Sequence, residues 1–174
     1  YGKASGALNL IYLSGSTSYN EIAYSANGTS WTAVNVTVGG NAVQLFSACV
    51  YDGKLIGLYY DYTAGTPFYG VAYTTDHTSA AWTNLYAGFP FTPQSIVTYV
   101  DQQGNPALYV GASEGMWLVD FYSATITMVV PFQAYATASN GLWMVVHNGA
   151  LYVTTIRGIL RFTPSVSTFI GPNA

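Results

Sequence analysis

The chain is a succession of short runs, apolar or alternating apolar and polar, each closed by turn-forming residues. Trp31–Val38 alternates, with Val34, Val36 and Val38 on one side. Leu8–Leu13, Asn20–Tyr24, Val43–Tyr51, Lys54–Tyr60, Phe68–Thr74, Trp82–Tyr86 and Ser95–Val100 are equally short and rich in Val, Leu, Tyr and Trp. Runs of this length and composition predict strands. No stretch holds an apolar period of 3.6 long enough for an amphipathic helix. Asn27-Gly28, Asp52-Gly53 and Asn148-Gly149 predict tight hairpins, because both residues of such pairs tolerate positive φ.

One strand pattern occurs twice. Ala107-Leu108-Tyr109-Val110 followed by Gly115-Met116-Trp117-Leu118-Val119 returns 43 positions later as Ala150-Leu151-Tyr152-Val153 and Gly158-Ile159-Leu160-Arg161-Phe162. Thr125–Val130, Leu142–Val146 and Val166–Ile170 complete the last two units. A strand unit repeating at roughly 40–50 residues is the mark of propeller blades. The expected fold is therefore all-β and β-propeller-like, a single domain over residues 1–174 with about four blades of antiparallel strands, approximately 1–40, 41–91, 92–133 and 134–174. Blade 1 is incomplete, because few residues precede Leu8. Its missing strand is expected from Tyr1–Gly6, from the rest of a larger ring, or from another polypeptide; the chain is a complete small propeller or a fragment of a larger one.

Composition narrows the function. Only 6% of residues are charged, while 51% are hydrophobic and Tyr alone occurs 16 times, so copies repel one another weakly and self-association is expected. The four cations, Lys3, Lys54, Arg157 and Arg161, are scattered in a chain of net charge −3, which argues against nucleic-acid binding. No apolar run is long enough to predict membrane insertion. Cys49, the single cysteine, sits in an apolar run and reads as a core residue. The start at Tyr1 is expected from processing. Sequons at Asn27 and Asn35, few lysines and abundant Ser, Thr and Tyr point to an extracellular, cell-surface or virion setting with N-glycosylation at those two asparagines.

Ser25, Asn27, Gly28 and Trp31, and again Thr74, Asp76 and Trp82, resemble the Asp-box hairpin of BNR-repeat propellers, Ser-x-Asp-x-Gly-x-Thr-Trp. The first loop is one residue shorter than the pattern and the second lacks its glycine. The resemblance implies structural roles: Asn27 and Asp76 close turns, while Trp31 and Trp82 pack between blades. It also implies comparison with sialidases and other glycosidases. A sialidase would need three arginines on the substrate carboxylate, and only Arg157 and Arg161 exist.

A generic glycosidase needs two suitably spaced carboxyl groups. Asp52, Asp76 and Asp101 fall in or beside turns, where Asp ordinarily serves the backbone. Asp61 and Glu114 fall in equivalent loops of consecutive units, and Arg157 in the matching loop of the next, where a Glu114–Arg157 ion pair is expected. Aromatic loops supply Tyr62, Phe89, Phe91, Phe132 and Tyr135, which with Glu114 and Arg157 make a candidate sugar-binding rim. His77 and His147 lie in separate turns, so neither metal nor other cofactor is expected. The leading expectation is a non-catalytic structural or interaction subunit, not an enzyme, that self-associates or docks to partners outside a cell or on a virion. The alternatives are a lectin-like propeller that binds glycans and a fragment of a BNR-type glycosidase.

Overall fold

The computed structural model describes residues 2–4, 7–13, 21–63, 65–131, 143–155, 158–163 and 166–170, and side chains from residue 21 to 130 (except 64), 143–155 and 158–163. Every regular element among them is a β-strand. The first sheet has the order β1 (Gly2–Ala4), β2 (Ala7–Leu13), β3 (Glu21–Ser25) and β4 (Thr32–Asn35), all antiparallel. Its edge is the lead segment itself, since β1 pairs Gly2 with Asn9 and Ala4 with Ala7. At three residues, β1 is shorter than β7, β11 and β15, which open the later four-stranded meanders.

The run Trp31–Val38 is not one strand. It divides at Val36, after which β5 (Thr37–Val38) leaves the first sheet and β6 (Asn41–Ala42) folds back on it. Two consecutive glycines, Gly39 and Gly40, at φ 60° and 87°, make the reversal possible, because the left-handed region excludes most side chains. β5 then pairs in parallel with the second sheet, Thr37 opposite Ala81 and Val38 opposite Trp82. The second sheet proper is β7 (Gln44–Tyr51), β8 (Lys54–Asp61), β9 (Phe68–Thr74) and β10 (Ala81–Ala87).

The third sheet is β11 (Pro93–Val100), β12 (Pro106–Ala112), β13 (Gly115–Asp120) and β14 (Thr125–Pro131); the fourth is β15 (Met144–His147), β16 (Ala150–Thr155), β17 (Gly158–Thr163) and β18 (Val166–Ile170). Both are antiparallel meanders in chain order. The β7–β8 and β15–β16 turns place both residues at positive φ, Asp52 at 47° with Gly53 at 69° and Asn148 at 46° with Gly149 at 72°. This backbone matches the twist of the flanking strands, and fixes the register at Tyr51–Lys54 and His147–Ala150.

The chain divides into two compact units, residues 1–89 and 90–174. In the first, Ile22, Val36 and Val38 pack with Val43, Leu45, Tyr59, Ala72 and Trp82. Two glycines make room for the aromatic rings: a Cβ on Gly70 would lie 2.5 Å from Tyr59 Cζ, and one on Gly57 3.1 Å from Trp82 Cζ3. In the second, Tyr99, Ala107, Tyr109 and Met116 of the third sheet meet Leu151, Val153, Leu160 and Phe162 of the fourth. Each large apolar side chain so buried contributes about 1.5–3 kcal/mol relative to exposure. No helix among the described residues is long and apolar enough to cross a membrane.

Candidate functional site

The acidic side chains are largely committed to their own backbone. Asp61 is buried in the first unit; its Oδ1 accepts the N–H and hydroxyl of Thr63, both at 2.9 Å, and its Oδ2 accepts Asn41 Nδ2 at 2.9 Å. Asp76 Oδ1 accepts the Thr78 hydroxyl at 2.6 Å and its N–H at 2.9 Å, and these bonds hold the carboxyl below the usual range. For Asp101 desolvation pushes upward, but hydrogen bonds from Asn105, Gln103 and Gly104 outweigh it and lower the pKa. Asp120 is lowered by the N–H groups of Ser123 and Tyr122. Asp52 pairs with Lys54 at 2.8 Å on the surface. A carboxylate already accepting such bonds is a turn fastener, stabilised in its charged form.

Glu114 is different. It stands exposed in the β12–β13 hairpin of the second unit. Arg157, its expected ion-pair partner, lies outside the described residues, as do Phe132 and Tyr135. Among the rim aromatics the structure separates two roles. Tyr62 is 41% exposed at the middle of the Asp61–Thr63 turn, so its ring is available. Phe89 and Phe91, expected on the rim, are instead buried: Phe89 lies 5.0 Å from Tyr86 and its N–H bonds Tyr69 O, while Phe91 stacks on Trp117 at 4.5 Å. Rings fixed in this way support the sheets and offer no face to a ligand. Tyr62 and Phe89 belong to the first unit, Phe91 and Glu114 to the second.

The loops that follow β3 and β9 share one bonding scheme. Ser25 Oγ accepts Gly28 N–H at 2.8 Å and Asn27 Oδ1 accepts the N–H groups of Thr29 and Ser30 at 2.9 Å. Thr74 Oγ1 accepts Asp76 N–H at 3.0 Å, and Asp76 takes the role of Asn27. The loops communicate through Tyr24 and His77, whose rings meet edge to face at 5.0 Å. The tryptophans part company: Trp82 is buried in the core, whereas Trp31 is 46% exposed and does not pack between sheets.

Several participants carried no sequence signal. Asn41, which holds Asp61, is 20 residues away in a two-residue strand. Tyr59 donates to Asn84 Oδ1 at 2.9 Å, and burial, then the charge of Asp61, pushes its hydroxyl up to about 12. Tyr109, raised to about 12 by burial first, donates to Val100 O. No three His, Cys, Asp or Glu side chains gather as metal ligands among the described residues.

No protein-family profile and no curated protein sequence matches the chain. Among solved structures it is similar to an exo-β-1,3-galactanase of Phanerochaete chrysosporium with β-1,3-galactotriose, at 11% identity and a TM-score of 0.59, over 96% of this chain and 47% of that one. A second structure of that galactanase gives 14% identity and a TM-score of 0.51, over 87% and 41% of the two chains. The arabinanase of Bacillus subtilis gives 17% identity and a TM-score of 0.47, over 81% and 62%. The chain thus spans about half the length of the galactanase it matches. These likenesses correct the expectation that the chain is not an enzyme, because the fold it shares is one on which glycoside-cleaving enzymes are built. They bring no support for a virion or filament subunit. The chain has the β-propeller fold, here as a run of propeller sheets.

Proposed function

We propose that this chain is part of a propeller that acts on glycans by hydrolysis. The observation that carries the reading is the likeness to the galactanase over nearly the whole of this chain. Glu114 supplies one carboxyl group: it is exposed, and its hairpin is set by Ala112 opposite Gly115. Tyr62, in the other compact unit, is a separate candidate, an open ring face held by the Asp61–Thr63 turn. Cleavage needs a second carboxyl group about 5–10 Å from the first, on the other side of the glycosidic bond. The described aspartates are occupied in turns, so the second is assigned to a part of the propeller outside the described residues. The setting is extracellular, and the exposure of Asn27 and Asn35 suits both sequons to glycosylation.

Release of reducing sugar from β-1,3-galactan by a protein that carries the whole propeller, of which this chain is part, tests the reading. Hydrolysis that falls about 10²–10⁴-fold in Glu114→Gln, with the fold intact by circular dichroism, is the expected result. Absence of both hydrolysis and glycan binding would overturn it. The exposed Tyr62 also favours a second reading, a lectin-like propeller: saturable glycan binding abolished by Tyr62→Ala, without any hydrolysis, would establish that one instead.

A further inference from the structure

Asn27 precedes Gly28 in the loop after β3, and both are exposed. Gly28 stands at φ 75°. Having no Cβ, it leaves its backbone nitrogen unhindered beside the Asn27 carboxamide. Three donors converge on the amide oxygen: Oδ1 accepts the N–H groups of Thr29 and Ser30 at 2.9 Å each and the Ser25 hydroxyl at 3.2 Å. They draw electrons from Cγ and stand where a developing oxyanion needs them.

The same Ser25 Oγ accepts Gly28 N–H at 2.8 Å and Asn27 N–H at 3.3 Å. A single hydroxyl therefore links a nitrogen able to lose a proton to an oxygen able to gain one. Ser25 is 2% exposed, so this link is sheltered from bulk water. The Asn148-Gly149 turn has the same dipeptide, equally exposed, but no described residue donates to the Asn148 amide oxygen. The loop after β9 shows that a carboxylate suits the place of Asn27. There Asp76 accepts Thr78 N–H at 2.9 Å, Thr74 Oγ1 stands where Ser25 Oγ does, and the hydrogen bonds favour the charged form.

We propose that Asn27 is a self-modifying site, an amide that its own loop converts to an acid wherever no sugar occupies it. Gly28 N attacks Asn27 Cγ; its proton passes to Ser25 Oγ while the Ser25 hydroxyl proton passes to Oδ1, which gives a neutral tetrahedral adduct. As the carbonyl re-forms, the Cγ–Nδ2 bond breaks and that proton leaves with Nδ2 as ammonia. The resulting succinimide is opened by water to aspartate or isoaspartate. The sum is amide plus water to acid plus ammonia, with no change of oxidation state. The step removes the sequon at Asn27 and adds a negative charge to a chain of net charge −3. It makes the residue a one-way choice between carrying a glycan and carrying a charge, whatever the propeller acts on.

Peptide mapping by mass spectrometry of the full chain, made without glycosylation and incubated near neutral pH with and without guanidinium chloride, tests the proposal. Conversion at Asn27 is expected to be about tenfold or more faster in the folded chain than in the unfolded one, because the reacting groups are already placed. Asn148 should show no such acceleration. Ser25→Ala should bring Asn27 down to the unfolded rate, whereas Ser25→Thr, which keeps a hydroxyl as Thr74 does, should retain the fast rate. Melting curves establish that each variant folds; should Ser25→Ala fail to fold, the folded and unfolded parent decide alone. A folded rate no higher than the unfolded one would overturn the proposal, since the hydrogen bonds would then protect the amide. Equal acceleration at Asn148 would also overturn it, as would a folded Ser25→Ala that converts as fast as the parent.

Discussion

Single residues decide the acid response of this protein. Asp76, Asp101 and Asp120 all have carboxyl groups held below their usual range by turn hydrogen bonds. A depressed folded-state pKa adds stability above the unfolded value, about 4, and that stability is lost as pH falls through the folded value. Thermal melts should therefore be flat from about pH 7 to 5 and fall below about pH 4. Asp76→Asn gives the second loop the amide of Asn27, so it should keep the pH 7 midpoint and reduce the acid slope; an unchanged slope would remove Asp76 from the account. Gly70 is the steric counterpart. Its missing Cβ would meet Tyr59 at 2.5 Å, whereas a Cβ on Gly65 meets nothing. Gly70→Ala should cost about 1–3 kcal/mol in urea unfolding, with Gly65→Ala as the neutral control.

At the scale of elements, the hairpin turns carry more than connectivity. The β15–β16 turn places Gly149 O at 2.6 Å from the Tyr99 hydroxyl, which ties it to β11 of the neighbouring sheet. Tyr99→Phe removes that bond and should cost about 1 kcal/mol. Gly149→Ala forces a side chain into φ 72° and should cost about as much again; equal stability of the two variants and the parent in chemical denaturation would contradict both. One-residue bulges interrupt β10 at Leu85, between its pairings with β5 and β9, and β14 at Val129, in the last strand of its sheet. Such bulges sharpen the local twist and make a strand a poorer template for edge pairing. β14 needs this protection, since Met128 and Val129 are exposed and Thr125–Val130 carries no charge.

For the whole molecule, low charge is the governing quantity. With a sequence pI near 4.9 and few ionisable groups, solubility should pass through a sharp minimum close to that pH, because little repulsion opposes association there. Turbidity measured against pH checks this, and a minimum displaced by more than about one unit would point to charge masked by modification. The same sparseness bears on catalysis. Most of the few carboxylates serve turns, and the exposed Glu114 is the one on which the hydrolytic reading tests first.

Strand positions, hairpin turns and the repeated unit could be read along the chain because they rest on local chemistry. Alternation, β-branched residues and Asp-Gly or Asn-Gly pairs act within a few residues, and Asp52-Gly53 and Asn148-Gly149 form turns at positive φ as their composition predicts. Burial could not be read in this way. Phe89 resembles Tyr62 in sequence, yet one is packed and the other open; Trp31 and Trp82 close similar loops, yet only Trp82 reaches the core. Asn41 finds Asp61 from 20 residues away. Such outcomes depend on which sheet face meets a neighbour and where a strand leaves one sheet for another, as β5 does after Val36. Contacts between distant segments settle those questions, so only the tertiary structure could decide which aromatic rings and carboxylates are free to meet a ligand.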